Sequence, residues 1–142
     1  MIRKMILSDV FKIVEIEKEI LNDTLGVNFL YNELSINPFA NYFVKELNGE
    51  VIGYLGTRIY DNNAEFMNFV IETEYQNQGF GQELFDYVME ELEKLKVKEV
   101  SLEVRKSNTK AKRFYVKNGF VKRYIRKDYY DNEDALVYIK EV

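Results

Sequence analysis

The sequence predicts an α/β (α+β) fold: a mixed, mainly antiparallel sheet with helices on both faces and a parallel β-α-β crossover. Three observations carry this. Asn48-Gly49 stands between two β-prone runs, YFVKEL and EVIGYLGTRIY, and Asn-Gly is the strongest short hairpin signal a sequence offers. AEFMNFVIET, residues 64–73, is apolar on both faces, which suits an interior strand covered from both sides. YQNQGFGQELFDYVMEEL, residues 75–92, passes through two glycines into helical periodicity, and the alternating run KEVSLEVR follows it. Strand, helix and strand in that order make a right-handed parallel crossover the simplest connection.

In chain order, a short strand is expected at residues 2–6. Ser8 is placed to cap a helix running to about Leu21, with Val10, Ile13, Val14, Glu17 and Leu21 on one side, all apolar except Glu17. A shorter helix is expected over 28–35 through Phe29, Leu30 and Leu34. Residues 42–71 read as three antiparallel strands joined at Asn48-Gly49 and at Asp61-Asn62-Asn63. Alternation in the third puts Phe66 and Val70 on one face and Met67, Phe69 and Ile71 on the other. Leu84, Phe85, Val88, Leu92 and Leu95 recur at helical spacing, and Val100, Leu102 and Val104 share one face of the next strand. A helix from about Ser107 to Asn118 ends at Gly119, a natural C-cap, and two strands near 120–127 and 135–141 close the chain.

The 142 residues suit one domain spanning 1–142, long enough to bury its own core. The chain has no cysteine and no histidine. Thiolate nucleophiles, disulfides and the usual zinc ligands are excluded, no metal is expected, and acid–base chemistry falls to Asp, Glu, Tyr or Lys. MIRKMILSDVF holds only Met5 to Leu7 as an apolar run, too short for a signal-peptide core. No window approaches the ~20 apolar residues of a membrane span, so a cytoplasmic protein with no membrane partner is expected. The net charge of −4 is uneven: residues 105–127 hold ten basic side chains and no acidic one, while the other 119 residues hold 10 basic and 24 acidic, a net of −14. Such a run is either a solvated face or an anion site.

The turn at Gly79 and Gly81 has the geometry of an anion site, because the first N–H groups of a helix are free and the helix dipole adds positive charge there. It is not a P-loop, since no Gly-Lys-Ser/Thr follows, nor a dinucleotide loop, since Leu84 stands where the third glycine would be. A plain tight turn is the alternative. However, Gln76-x-x-Gly79-x-Gly81 resembles the (Arg/Gln)-x-x-Gly-x-(Gly/Ala) signature of the GNAT N-acetyltransferases. SLEVRKSNTKAKRFYVKNGF resembles that family's next block, and YIRKDYYDNEDALVY resembles the closing motif of its RimI-type branch, enzymes that acetylate a protein's N-terminal alanine on the ribosome. The resemblance runs from about residue 42 to the C-terminus. Asn77 and Gln78 stand where the family usually has arginine, and NDTLGVNFLY, residues 22–31, lacks the branch's Pro-Trp.

The resemblance implies acetyl-CoA as cosubstrate. Its pyrophosphate is expected on the turn Gln76, Asn77, Gln78, Gly79, Phe80, Gly81 and Gln82. Its pantetheine arm is expected along Phe69, Val70 and Ile71, where the family has a strand bulge, and at Asn108, for which helix capping is the plainer role. Glu103, mid-strand and opposite Leu102 and Val104, is the candidate base, and Tyr115 the candidate acid. A phenol at its reference pKa of ~10 would protonate a thiolate slightly uphill. With no cysteine, direct attack by the amine is expected. The acceptor implied is a protein N-terminus, that of a ribosomal protein in the RimI-type branch. A small-molecule amine or a lysine is the alternative, and a catalytically decayed ribosome- or nucleic-acid-binding module is another. Lys106, Lys110, Lys112 and Arg113 divide, in this reading, between the cosubstrate's phosphates and ribosomal RNA or solvent.

Overall fold

The computed structural model describes residues 1–21, 24–130 and 132–142. Its strands are β1 (Ile2–Lys4), β2 (Ala40–Leu47), β3 (Glu50–Tyr60), β4 (Asn63–Ile71), β5 (Glu99–Arg105), β6 (Val121–Tyr130) and β7 (Glu133–Glu141). They form one sheet of order β1-β2-β3-β4-β5-β7-β6. The pair β4–β5 is parallel, and the other neighbours pair antiparallel. The helices are α1 (Val10–Leu21), α2 (Val27–Ser35), α3 (Phe80–Lys94) and α4 (Thr109–Lys117). No helix among the described residues is long and apolar enough to cross a membrane.

The Asn48-Gly49 hairpin forms as expected: Leu47 pairs with Glu50, and both turn residues have positive φ, 53° and 82°. The next turn is tighter than the sequence implied, because Asn63 already pairs with Tyr60 and only Asp61 and Asn62 remain outside the ladder. Helix α1 is entered through a 3-10 turn at Leu7–Asp9, and the residue that fixes this entry is Asp9, not Ser8. Asp9 Oδ2 accepts the Ile6 N–H at 2.8 Å, and its carboxylate is gripped by both terminal nitrogens of Arg3 at 2.8 and 3.0 Å. A carboxylate that gains an ion pair as well as the cap outcompetes a neighbouring hydroxyl. Helix α3 ends at Lys94, so Leu95 lies beyond the helical stripe, half exposed.

Two cores flank the sheet. Val10, Ile13 and Val14 of α1 with Leu30 of α2 pack on one face, and Leu84, Phe85, Val88 and Leu92 of α3 with Tyr115 of α4 pack on the other. Strand β4 serves both, but its faces differ from simple alternation. Gly56 pairs with Asn68 and Thr57 with Phe66, which leaves Met67 as an extra residue. This bulge reverses the parity of the strand. Phe66, Phe69 and Ile71 therefore face α3, while Met67 and Val70 face α1. Gly56, opposite the bulge, lies under the Tyr42 ring so closely that a Cβ there would come within 2.4 Å of it.

The bulge coincides with a parting of the sheet. Strand β4 pairs with β5 only at Asn63–Glu99, Ala64–Val100 and Glu65–Ser101, whereas β5 follows β7 along its whole length. From Phe66 onward the two parallel strands diverge, and the gap between them is the opening in which the site lies.

Candidate active site

Two cavities occupy this opening, one of about 1040 Å³ and one of about 260 Å³. They meet at Leu21, Phe69, Arg105, Asn108, Ala111 and Tyr115. The larger lies between the end of β4, the turn into α3, and α4. The smaller reaches through the split toward α1 and the segment before α2.

The turn is built by two left-handed residues, Asn77 at φ 61° and Gly79 at φ 88°. Gly79 is the N-cap of α3, and no side chain caps the helix. Its first bonded N–H is that of Glu83, given to Gly79 O at 3.0 Å, so the N–H groups of Phe80, Gly81 and Gln82 have no partner within the helix. That is a cradle for an anion, and it fits a pyrophosphate. Gly81 serves differently: a Cβ there would stand 3.6 Å from Ile71 and 3.8 Å from Phe69, toward the floor of the large cavity.

Phe69, Val70, Ile71, Gln76, Asn77, Gly79, Gly81, Gln82 and Asn108 all line the large cavity. The side chains of Gln78 and Phe80 do not. Gln78 is exposed and bonds Glu74 O at 2.9 Å, and Phe80 packs on Tyr75 and beneath the Lys45 ammonium. Gln76 is a brace: its Nε2 donates to Ile71 O at 2.8 Å and its Oε1 accepts from Lys110 Nζ at 2.7 Å. Gln82 exchanges hydrogen bonds with Asn118 at 2.8 and 3.3 Å, tying the start of α3 to the end of α4. Asn108 does cap α4, accepting from Ala111 N–H at 3.1 Å, and lines both cavities as well.

Of Lys106, Lys110, Lys112 and Arg113, only Lys110 lines the cavity. Arg105, Ser107, Phe114 and Lys117 line it too, and the sequence reading missed them. Lys117 was within reach, since it stands seven residues after Lys110, two turns along one face of α4. Lys122, Arg123 and Lys127 lie on the exposed edge strand β6, where charge discourages pairing with other sheets.

Glu103 lines the small cavity from β5, on the face opposite Leu102 and Val104. The closing hairpin surrounds it. Arg126 Nη1 stands 3.3 Å from Glu103 Oε1, and the neighbouring Glu103 carboxylate raises the Tyr129 hydroxyl above its usual pKa. Arg105 lies over the Tyr130 ring at 4.0 Å and pairs with Glu133 at 3.2 Å. Glu133 also accepts the Ser107 N–H at 3.0 Å, and contacts with Ser107 and then Arg105 hold its carboxyl below the usual range. Tyr115 stands where the cavities meet, packed by Phe114 and Phe120, and burial pushes its hydroxyl well above the ordinary phenol value. Proton transfer from Tyr115 is therefore steeper than the reference phenol pKa implied.

Residues 8–120 match the acetyltransferase (GNAT) family. The chain belongs to this family. The acetyltransferase is 38% identical over 138 residues to a Bacillus subtilis (strain 168) protein provisionally named as a ribosomal protein bS18-alanine N-acetyltransferase, covering 96% of this chain and 91% of that one. The crystal structure of the ribosomal-protein-S18-alanine N-acetyltransferase from Escherichia coli superposes with a TM-score of 0.93 at 27% identity, over 100% of this chain and 93% of that one. PaiA N-acetyltransferase from Thermoplasma acidophilum, solved in complex with coenzyme A, shares the fold at a TM-score of 0.86 and 20% identity, over 100% and 98% of the two chains. The chain is an acetyl-CoA-dependent N-acetyltransferase of RimI-like type.

Proposed function

We propose that this acetyltransferase, acting as one domain over residues 1–142, transfers acetyl from acetyl-CoA to a protein N-terminal α-amine, that of an alanine-led ribosomal protein. One observation carries the reading. A carboxylate, Glu103, lines a small cavity that joins, at Tyr115, a larger cleft with a free helix N-terminus at its far wall. The small cavity, at about 260 Å³, suits a small first side chain, and Glu103 suits a cationic amine. The names of the Bacillus subtilis and Escherichia coli relatives point to the same acceptor, and a ribosomal acceptor implies a cytoplasmic enzyme.

In this reading the free N–H groups of Phe80, Gly81 and Gln82 hold the pyrophosphate, with Lys110 and Lys117 nearby. Phe69, Val70, Ile71 and Asn108 border the pantetheine arm. Glu103 takes a proton from the amine, whose nitrogen attacks the thioester carbonyl carbon. The new C–N bond forms as the C–S bond breaks. The Tyr115 hydroxyl donates a hydrogen bond to the departing sulfur, and its raised pKa makes that bond, rather than an early full proton transfer, its main contribution.

The test is mass spectrometry of N-terminal peptides incubated with acetyl-CoA and the purified protein. An alanine-led ribosomal-protein peptide should gain one acetyl group at its α-amine. Acetylation confined to lysine side chains or small polyamines would overturn the acceptor while leaving the acetyltransferase chemistry intact.

A further inference from the structure

Glu17 is fully buried on the otherwise apolar face of α1. Among the described residues no cation pairs with it. A buried carboxylate is costly unless its oxygens are hydrogen-bonded, and here three donors converge on it. Thr24 Oγ1 donates to Oε1 at 2.6 Å, while Tyr54 Oη, at 2.6 Å, and Asn68 Nδ2 both donate to Oε2. Burial, then Glu17 itself, keeps the Tyr54 hydroxyl protonated and so a donor. Thr24 Oγ1 in turn accepts the Gly26 N–H at 3.0 Å, at the entry to α2.

A leucine could fill this place without the cost of desolvation. What the carboxylate adds is direction, because its three donors come from three separate parts of the chain. Tyr54 lies on β3, Asn68 follows the bulged Met67 of β4, and Thr24 belongs to the segment between α1 and α2. Thr24, Leu25, Met67 and Asn68 are walls of the small cavity that Glu103 lines. The bulge and the α1–α2 segment are thus referenced to one buried point behind the cavity.

We propose that Glu17 is a positioning residue for the acceptor: through Thr24 and Asn68 it fixes the two walls of the small cavity and so the line along which the amine meets Glu103. This rests on reading the small cavity as the acceptor site.

The experiment compares the parent with Glu17→Leu, Glu17→Gln and Thr24→Val, at a temperature where each is folded. Glu17→Leu leaves three donors without their acceptor. Glu17→Gln can retain the cluster, its oxygen serving Tyr54 and Asn68 and its nitrogen donating to Thr24 Oγ1. Thr24→Val removes the hydroxyl that joins Glu17 to the α2 entry and leaves Tyr54 and Asn68 on the carboxylate, and it decides the matter if Glu17→Leu fails to fold. Glu17→Leu and Thr24→Val should raise KM for an alanine-led peptide about tenfold or more, with the acetyl-CoA dissociation constant within about twofold of the parent. Glu17→Gln should stay close to the parent. Hydrogen exchange should quicken over residues 24–30 and 66–69 in Glu17→Leu, over 24–30 in Thr24→Val and over neither in Glu17→Gln, a readout that needs no acceptor. Lower thermal stability with unchanged KM and unchanged local exchange would reduce Glu17 to a packing residue and overturn the proposal. A parent enzyme inert toward every α-amine would instead count against the acceptor, and the exchange measurement would still decide the clamp.

Discussion

Arg126 on β6 and Glu103 on β5 do not belong to adjacent strands, yet Arg126 Nη1 reaches Glu103 Oε1 at 3.3 Å across the intervening β7. The closing motif of the sequence thereby acquires a physical meaning: Arg126 and Tyr129 hold the candidate base from outside. Arg126 itself is pushed above its usual pKa by Tyr124 and then Glu103, so it stays charged throughout the working pH range.

Replacing Arg126 with methionine should therefore disorder Glu103 without disturbing the fold. The pair is too exposed to contribute much stability, so thermal unfolding should move little. Steady-state kinetics should show kcat/KM for the acceptor falling about tenfold, with acetyl-CoA affinity unchanged. An unchanged kcat/KM would detach Arg126 from the base.

Glu103→Gln and Tyr115→Phe should each lower turnover about 100-fold or more, the scale on which general acids and bases act. Acetyl-CoA affinity, measured by calorimetry, should be nearly constant. Among the described residues the Tyr115 hydroxyl makes no hydrogen bond, so Tyr115→Phe should not destabilise the protein. A stability loss comparable to that of a core truncation, with turnover intact, would make Tyr115 structural.

The pH profile follows from the direction of the Tyr115 shift. Burial raises its pKa, so the protonated, donating form persists above the ordinary phenol value of about 10. Turnover should show no alkaline fall belonging to Tyr115 below about pH 10. A limb that falls earlier and vanishes in Tyr115→Phe would contradict the buried donor. Linkage has the same sign: stability from the protonated hydroxyl is complete below about 10 and declines as pH climbs toward the raised value.

The two glycines should separate in experiment. Gly79 needs its left-handed φ, and Gly79→Ala should lower stability by about 1–2 kcal/mol. Gly81 does not, and its Cβ would meet only ordinary contacts, so Gly81→Ala should fold normally. Gly81→Val, with branches reaching the cavity floor, should raise the acetyl-CoA dissociation constant while thermal unfolding changes little. Equal affinity in Gly81→Val would remove this turn from the cosubstrate site.

Much of this was legible in sequence because it depends on local chemistry. Asn48-Gly49 encodes its hairpin through two left-handed residues, and the strand–glycine–helix passage encodes a turn with free N–H groups. The family motifs then assign roles that spacing alone leaves open. What was hidden depends on tertiary competition. The bulge at Met67 lies in the pairing of β4 with β3, opposite a Gly56 covered by the Tyr42 ring, and it turns Asn68 toward a carboxylate that alternation could not find. Asp9 displaced Ser8 as the helix-entry residue because Arg3, on the neighbouring strand, added an ion pair. Gln78 and Phe80 lie within the loop motif, but their side chains turn away from the cavity.

The acceptor should be an α-amine and not a lysine side chain. An α-amine has a pKa of about 7.7–8.0 and a lysine amine about 10.4, so near neutrality roughly a tenth of the first is already unprotonated and well under a thousandth of the second. Glu103 is a single carboxylate, and no histidine or cysteine is present to assist it. Such a base serves the acceptor that needs less deprotonation. The small cavity adds a steric argument, since a volume of about 260 Å³ receives a short N-terminal residue more readily than a chain bearing bulky neighbours on both sides of a lysine. Alanine-led peptides should show a higher kcat/KM than the same peptides with a blocked terminus and a free lysine, at saturating acetyl-CoA. The advantage should narrow as pH rises toward 10, because the lysine amine gains free base while the α-amine is already deprotonated. A preference for the blocked, lysine-bearing peptide at neutral pH would place the acceptor elsewhere within the acetyltransferase family.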